Sequence, residues 1–216
     1  DWKTRLNKSK GLEVESDQVI HFKQAFHGRS GYTLSLTNTN DPRKYMYFPM
    51  FKWPRITNPK LSFPITDNNL EQTILLEKQA IAEINLAITE LSDRIACLII
   101  EPIQSEGGDN HFRKEFLQEL REICDKHDML LIFDEVQTGF AMSGKMWAHE
   151  HYNVLPDILA FGKKSQVCGI MANKSKFDRV EKHVFVESSR INSTFGGNLV
   201  DMARCKLILE IIENEN

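Results

Sequence analysis

Cysteine is scarce in this sequence. Its four copies, Cys97, Cys124, Cys168 and Cys205, lie far apart and form no Cys-x-x-Cys pair. That spacing argues against a zinc cluster or a dithiol redox motif. Three of the four fall in apolar runs or on apolar helix faces, which suits buried free thiols in a reducing compartment, here taken as the cytoplasm. Long apolar runs are lacking as well. None approaches the roughly 20 residues that span a bilayer, and no signal-peptide pattern is present. Excess charge is also missing: the net charge is -3 over 216 residues, which gives no electrostatic reason to bind nucleic acid or a membrane surface. There is no internal repeat and no low-complexity bias. What remains is a chain that is 41% hydrophobic and 26% charged, an ordinary globular composition.

The opening DWKTRLNKSKG reads as the end of a helix. Trp2 and Leu6 share a face, cations gather at its end, and Gly11 suits a C-cap. The expectation is that further chain precedes Asp1 and that the abrupt LILEIIENEN is likewise not a natural end. QVIHFKQAF (18–26) has strand-like alternation. The stretch from Gly28 to Asp67 holds five of the seven prolines (Pro42, Pro49, Pro54, Pro59 and Pro64) and is expected to be an ordered surface crossing. Its aromatics Tyr45, Tyr47, Phe48, Phe51 and Trp53 are expected to be covered, since leaving them in water is costly. Leu76, Ala80, Ile84, Ile88 and Leu91 mark a helix over 70–91. IACLII (95–100) reads as a buried strand, and Phe112, Phe116, Leu120 and Ile123 mark an amphipathic helix. Strands follow at 129–134, 157–162 and 167–172, and a last helix at about 198–213. Strands that alternate with helices and are apolar throughout predict an α/β fold with a mostly parallel sheet, covered by helices on both faces. Ligands of such sheets bind beyond the carboxyl ends of the strands. Asp134, Glu101 and Lys163 fall at or just after such ends.

LLIFDEVQTGF (130–140) poses the functional question: what needs a carboxylate at the end of a buried strand? Nucleotide hydrolysis is one candidate, since GFAMSGKM (139–146) matches Gly-x-x-x-x-Gly-Lys. Met146 stands where that motif needs Ser or Thr to reach magnesium, and no separate strand is left to present the loop. Gly139 and Gly144 are read as turn residues instead. His149-Glu150-His151 is not His-Glu-x-x-His, and residues i and i+2 do not share a helix face, so no metal is expected. The third candidate is a pyridoxal phosphate site. It needs a lysine to bond the aldehyde and a carboxylate to keep the pyridine nitrogen protonated. Alone, Asp134 reads as a cap or an ion pair and Lys163-Lys164 as a solvated turn. Their order and spacing favour the cofactor reading.

FHGRSGYT, IIEPIQSEGGD, LLIFDEVQTGF, PDILAFGKK and NSTFGGN carry a family resemblance over residues 26–198. The chain resembles the large domain of a class III (ornithine/GABA-type), fold-type-I, pyridoxal phosphate-dependent aminotransferase. AFHGRSGYTLSLTNT, FGKKSQVCGIMA and SRINSTFGGN are similar to the lysine-specific branch of that family. The GKKSQVCG segment stands where the general family has a glycine-rich run. The resemblance implies that Lys163 bonds the cofactor and carries the proton, with Lys164 the runner-up and read as a solvated neighbour. It implies that Asp134 pairs with the pyridine nitrogen, Val136 packs under the ring, Gln137 bonds the phenolic oxygen and Phe26 stacks on the other face. Arg29 would hold a substrate carboxylate, and Glu106 would line the substrate side and pair with an arginine. Thr194 would reach the cofactor phosphate of a neighbouring subunit, with Asn192 on the substrate side and Ser193 on the cofactor side.

The implied protein is a homodimer with shared sites. It moves the terminal amine of L-lysine to 2-oxoglutarate, giving the 6-semialdehyde and glutamate. Ornithine or GABA as donor, or an inactive fragment, are the alternatives. Residues 1–216 are expected to be a partial large domain, with the family's phosphate loop and small C-terminal domain outside it.

Overall fold

The computed structural model describes residues 1–215. The chain runs α1 (Trp2–Ser9), β1 (Gln18–Phe22), α2 (Gly31–Leu34), β2 (Arg55–Ile56), α3 (Asp67–Leu91), β3 (Ile95–Ile100) and the short pair β4 (Ile103–Gln104) and β5 (Asn110–His111). It continues through α4 (Lys114–Lys126), β6 (Leu130–Asp134), α5 (His149–Tyr152), β7 (Ile158–Phe161), β8 (Gly169–Ala172), α6 (Lys174–Phe177) and α7 (Leu199–Glu215). Six strands form one sheet in the order β2-β1-β3-β6-β7-β8. Its pairings are parallel from β2 to β7, and β7 and β8 are antiparallel. This is the predicted α/β architecture, with one reversed edge strand.

Alternation along the strands assigns the two faces. Ile20 and Phe22, Leu98 and Ile100, and Leu131 and Phe133 face α3 and α4, where Ile84, Phe116 and Leu120 complete the larger core. Cys97 and Leu130 face the other way, against Trp2, Leu6, Phe177 and Val180. Burial of both faces is why these strands read as continuous apolar runs.

Helix ends follow local chemistry. Leu12 N–H donates to the Asn7 carbonyl and Gly11 N–H to that of Lys8, with Gly11 at φ +76°, so α1 closes in the Schellman arrangement expected of a glycine there. Helix α3 starts at Asp67, earlier than the apolar spacing suggested, because Thr66 accepts from Asn69 N–H as its N-cap.

Three expectations are corrected. The strand expected over 18–26 ends at Phe22. Gln24 adopts a positive φ and its N–H donates to Asn38 Oδ1 at 2.7 Å, which turns the chain toward the sheet edge. The crossing is ordered, but its aromatics are not all covered: Tyr47, Phe48 and Phe51 are 93%, 53% and 51% exposed. Tyr32, Phe51 and Trp53 stack on one another instead, with ring centroids 5.1 and 4.9 Å apart. The run 167–172 contributes a strand only from Gly169, and Cys168 is exposed, while the other three cysteines are buried. Among the described residues, no helix is long and apolar enough to cross a membrane.

Candidate active site

Strand β1 pairs with β2 on one side and β3 on the other, so the chain changes direction across the sheet at β1. Crevices form beyond the carboxyl ends of strands at such points. The segment after β1 (Phe26, His27, Gly28), Glu101 after β3, Asp134 at the end of β6 and Lys163 after β7 converge there. With Glu106, Val136 and Gln137 they line a cavity of about 140 Å³. Wider clefts exist, one of about 310 Å³ beside Trp147 and Leu155 among them, but its wall brings no comparable set of ionisable groups together.

Asp134 is held at both oxygens. Val136 N–H donates to Oδ1 at 3.1 Å, and His27 Nδ1–H to Oδ2 at 2.8 Å. The His27 side chain is 1% exposed, and its Nε2 is buried without a partner among the described residues. His27 N–H donates to Thr37 Oγ1 at 3.0 Å, and the Thr37 hydroxyl donates to the Gly28 carbonyl at 2.6 Å. A side chain on Gly28 would meet Thr33 Oγ1 at 2.5 Å, and the φ there is +126°, so only glycine lets this loop close. Glu101 is buried and accepts from Phe26 N–H at 2.8 Å. Burial, with the Asp134 charge adding to it, pushes its carboxyl up to about 7 against the opposing pull of His27.

Glu135 turns away from the cavity. It is wholly buried and accepts from Ala148 N–H at 2.6 Å, His149 N–H at 2.9 Å and the Thr138 hydroxyl at 3.1 Å. It fastens the loop 136–147 to the start of α5. Burial pushes its carboxyl above the usual range, opposed by those three donors.

Six residues singled out in the sequence share the cavity wall: Phe26, Glu106, Asp134, Val136, Gln137 and Lys163. Four others do not. Arg29 is exposed, its Nε donating to the Lys44 carbonyl at 3.3 Å. Asn192, Ser193 and Thr194 are exposed in the turns before α7. One further expectation is corrected, that for Lys164, while among the described residues Glu106 pairs with Lys44, because the crossing brings Lys44 over the cavity mouth. Lys164 is not a solvated neighbour. It is half-buried, its ammonium donates to the Gln137 carbonyl, and burial lowers its pKa, with Lys163 adding repulsion.

His27 and Glu101 are the residues the sequence reading gave no role. Glu101 stands visibly at a strand end, but its burial and its bond to Phe26 N–H depend on how the segment after β1 folds back. His27 lies between Phe26 and Gly28 and carried no separate signal.

A pyridoxal phosphate molecule fits this set of groups. A lysine and a strand-end carboxylate open on one cavity, Phe26 and Val136 lie on its wall, and Asp134 keeps an oriented, doubly held carboxylate.

The chain is also similar to known proteins. A family model described as aminotransferase class III matches residues 3–216. An L-lysine-epsilon aminotransferase of Mycobacterium tuberculosis (strain ATCC 25618 / H37Rv) is 50% identical over 216 residues, covering 100% of this chain and 47% of that protein. One from Amycolatopsis lactamdurans is 47% identical over 213 residues, covering 99% of this chain and 47% of that protein. A solved structure of lysine aminotransferase from M. tuberculosis superimposes with a TM-score of 0.93 at 50% identity, covering 100% of this chain and 48% of that one. The chain thus spans about half the length of these relatives.

Proposed function

The chain belongs to the class III aminotransferases, and from that premise we propose that it is part of the large domain of a pyridoxal phosphate-dependent enzyme that transfers the terminal amine of L-lysine to 2-oxoglutarate. The observation that carries the chemistry is the opening of Lys163 and Asp134 on one cavity. The lysine assignment is supported by relatives that are named L-lysine-epsilon aminotransferases and cover 100% and 99% of the chain.

When bound, the cofactor supplies an aldehyde that combines with the amine and a ring that takes up the electron pair left when a C–H bond breaks. The chain's own groups do the rest. Lys163 would hold the aldehyde at rest and, when free, would take up and release a proton at its Nζ. Asp134 keeps the pyridine nitrogen protonated. Its two hydrogen bonds fix it before the substrate arrives, so little reorganisation is needed as charge develops. Phe26 and Val136 pack on the ring and exclude water. The Gln137 side chain bonds the ring oxygen. Arg29, at the exposed edge, holds the carboxylate of the amino donor at a distance from the reacting amine, and its planar fork suits a two-pronged contact.

Asn192, Ser193 and Thr194 serve the site of a second copy in this reading, Thr194 and Ser193 at the phosphate and Asn192 at the substrate. Their exposure supports it, as does the exposed apolar surface beside them, with Phe195 79%, Leu199 86% and Val200 64% exposed. The whole protein is then a cytoplasmic homodimer, in keeping with its unpaired cysteines.

The test is spectroscopic and kinetic. Full-length protein mixed with pyridoxal phosphate should show a Schiff-base absorbance band that Lys163→Ala removes. Steady-state rates should rank lysine above ornithine and GABA in kcat/KM. A higher value for ornithine or GABA would remove the lysine assignment, and absence of the band would remove the enzyme assignment.

A further inference from the structure

Glu106 sits in the turn of a hairpin too small to hold itself. Strands β4 and β5 pair over two positions, Ile103 with His111 and Gln104 with Asn110, and they lie outside the main sheet. An isolated two-stranded hairpin is at best marginally stable in water. The turn is closed by Gly108 and Asp109 N–H, which donate to the Ser105 carbonyl at 3.1 and 3.2 Å. Those bonds shape the turn without tying it to its surroundings. Yet Glu106 lines the cavity, where a misplacement of about 1 Å is enough to spoil how a substrate is held.

What ties the hairpin down is a cluster of four amide side chains. Gln104 is wholly buried. Its Oε1 accepts from Asn110 Nδ2 at 2.9 Å and, from the segment after β2, Asn58 Nδ2 at 2.8 Å. Its Nε2 donates to the Lys23 carbonyl, just after β1, at 3.1 Å. Asn58 Nδ2 also donates to Gln24 Oε1 at 2.8 Å, and Asn110 Nδ2 to the Gly107 carbonyl at 3.2 Å. The turn is pressed onto the same place, since a side chain on Gly107 would meet the Gln24 carbonyl oxygen at 2.2 Å. Lys23 and Gln24 lead into Phe26, which lines the same cavity. Buried amide clusters of this kind favour one geometry, because any shift leaves donors and acceptors unpaired away from water.

We propose that Gln104 is a positioning residue: with Gln24, Asn58 and Asn110 it holds the β4–β5 hairpin on the end of β1, and so sets how far Glu106 stands from the Phe26 wall. The proposal rests on the aminotransferase reading, in which Glu106 faces the substrate.

The experiment uses the full-length protein loaded with pyridoxal phosphate and whichever of lysine, ornithine and GABA the wild type turns over best. Gln104→Met removes the acceptor at similar volume. It should lower kcat/KM by about tenfold or more while the Schiff-base band stays. In a Glu106→Gln background the same change should cost about threefold or less, because the group being positioned is already altered. Equal losses in the two backgrounds overturn the proposal, since a purely structural role predicts that they add. An unchanged kcat/KM overturns it too. Hydrogen exchange of the protein without cofactor gives an independent reading. The N–H groups of 103–111 should exchange about tenfold faster in Gln104→Met, with those of β3 and β6 unchanged, and equal exchange at 103–111 would overturn the proposal. Asn58→Ala leaves the hairpin's own residues in place and should show the same dependence on Glu106 at smaller size, so it carries the test if Gln104→Met does not fold. Wild-type protein that takes up no pyridoxal phosphate removes the enzyme reading, and the proposal with it.

Discussion

Asp134 and Glu135 are chemically similar neighbours at the end of one strand, and the fold gives them opposite work. Asp134 faces the cavity, held at both oxygens by Val136 N–H and His27 and still 13% exposed. Glu135 faces the interior and spends its oxygens on Ala148, His149 and Thr138. One is a carboxylate open to a cavity, the other a carboxylate given over to the chain itself. Pleating causes the split, because successive side chains of a strand leave on opposite faces. A strand end can therefore offer one acid to the site and use the next to pin the loop that shapes it.

The comparison breaks if the two acids fail in the same way. Asp134→Asn should leave the protein folded and cofactor-bound but lower the transamination rate by about 10²–10³ or more, the scale for losing an oriented charge-stabilising group. A near-normal rate in a rapid-mixing assay would mean that the carboxylate has another task. Glu135→Ala should do the reverse. It leaves two buried backbone N–H groups and a hydroxyl without an acceptor, so chemical denaturation should report a loss of about 3–5 kcal/mol. A variant that keeps its denaturation midpoint would refute the fastening role.

Two smaller effects sharpen the contrast. Glu101 belongs with Asp134 in place and with Glu135 in burial. Its folded pKa lies above the unfolded value, so the folded state binds the extra proton between 4.5 and about 7. The contribution of Glu101 to stability is then whole below about pH 4.5 and falls as pH rises toward about 7, by on the order of 3 kcal/mol across that window. Glu101→Gln should flatten that part of the stability-versus-pH curve, and an unchanged curve would show that its carboxyl titrates normally. Thr138→Val removes only one of the three donors to Glu135 and should cost about 1 kcal/mol by the same denaturation assay, with little effect on rate.

Much of this was legible in the sequence, for a physical reason. The strands at 95–100 and 130–134 are buried on both faces, so their apolar runs carry the signal locally. Phe26, Asp134, Val136, Gln137 and Lys163 follow strands closely, and a strand end determines where its next residues go. What depends on distant chain was not legible. His27 is buried against Asp134 only because the turn at Gln24 folds the segment back. Lys44 meets Glu106 across 62 positions, and Lys164 finds the Gln137 carbonyl across 27. The aromatics of the crossing looked too costly to expose, yet Tyr32, Phe51 and Trp53 reduce that cost by stacking on one another. The direction of β8 also escaped, since an apolar run of four residues looks the same read either way.

The pair Lys163-Lys164 gives the most direct test of the central claim, that the strand-end cavity is the cofactor site. Lys163 lines that cavity, whereas Lys164 is turned onto the Gln137 carbonyl. Borohydride reduction of the full-length protein in the presence of pyridoxal phosphate, followed by peptide mass mapping, should place the whole adduct on Lys163. An adduct on Lys164, or on a lysine outside the cavity, would contradict the account.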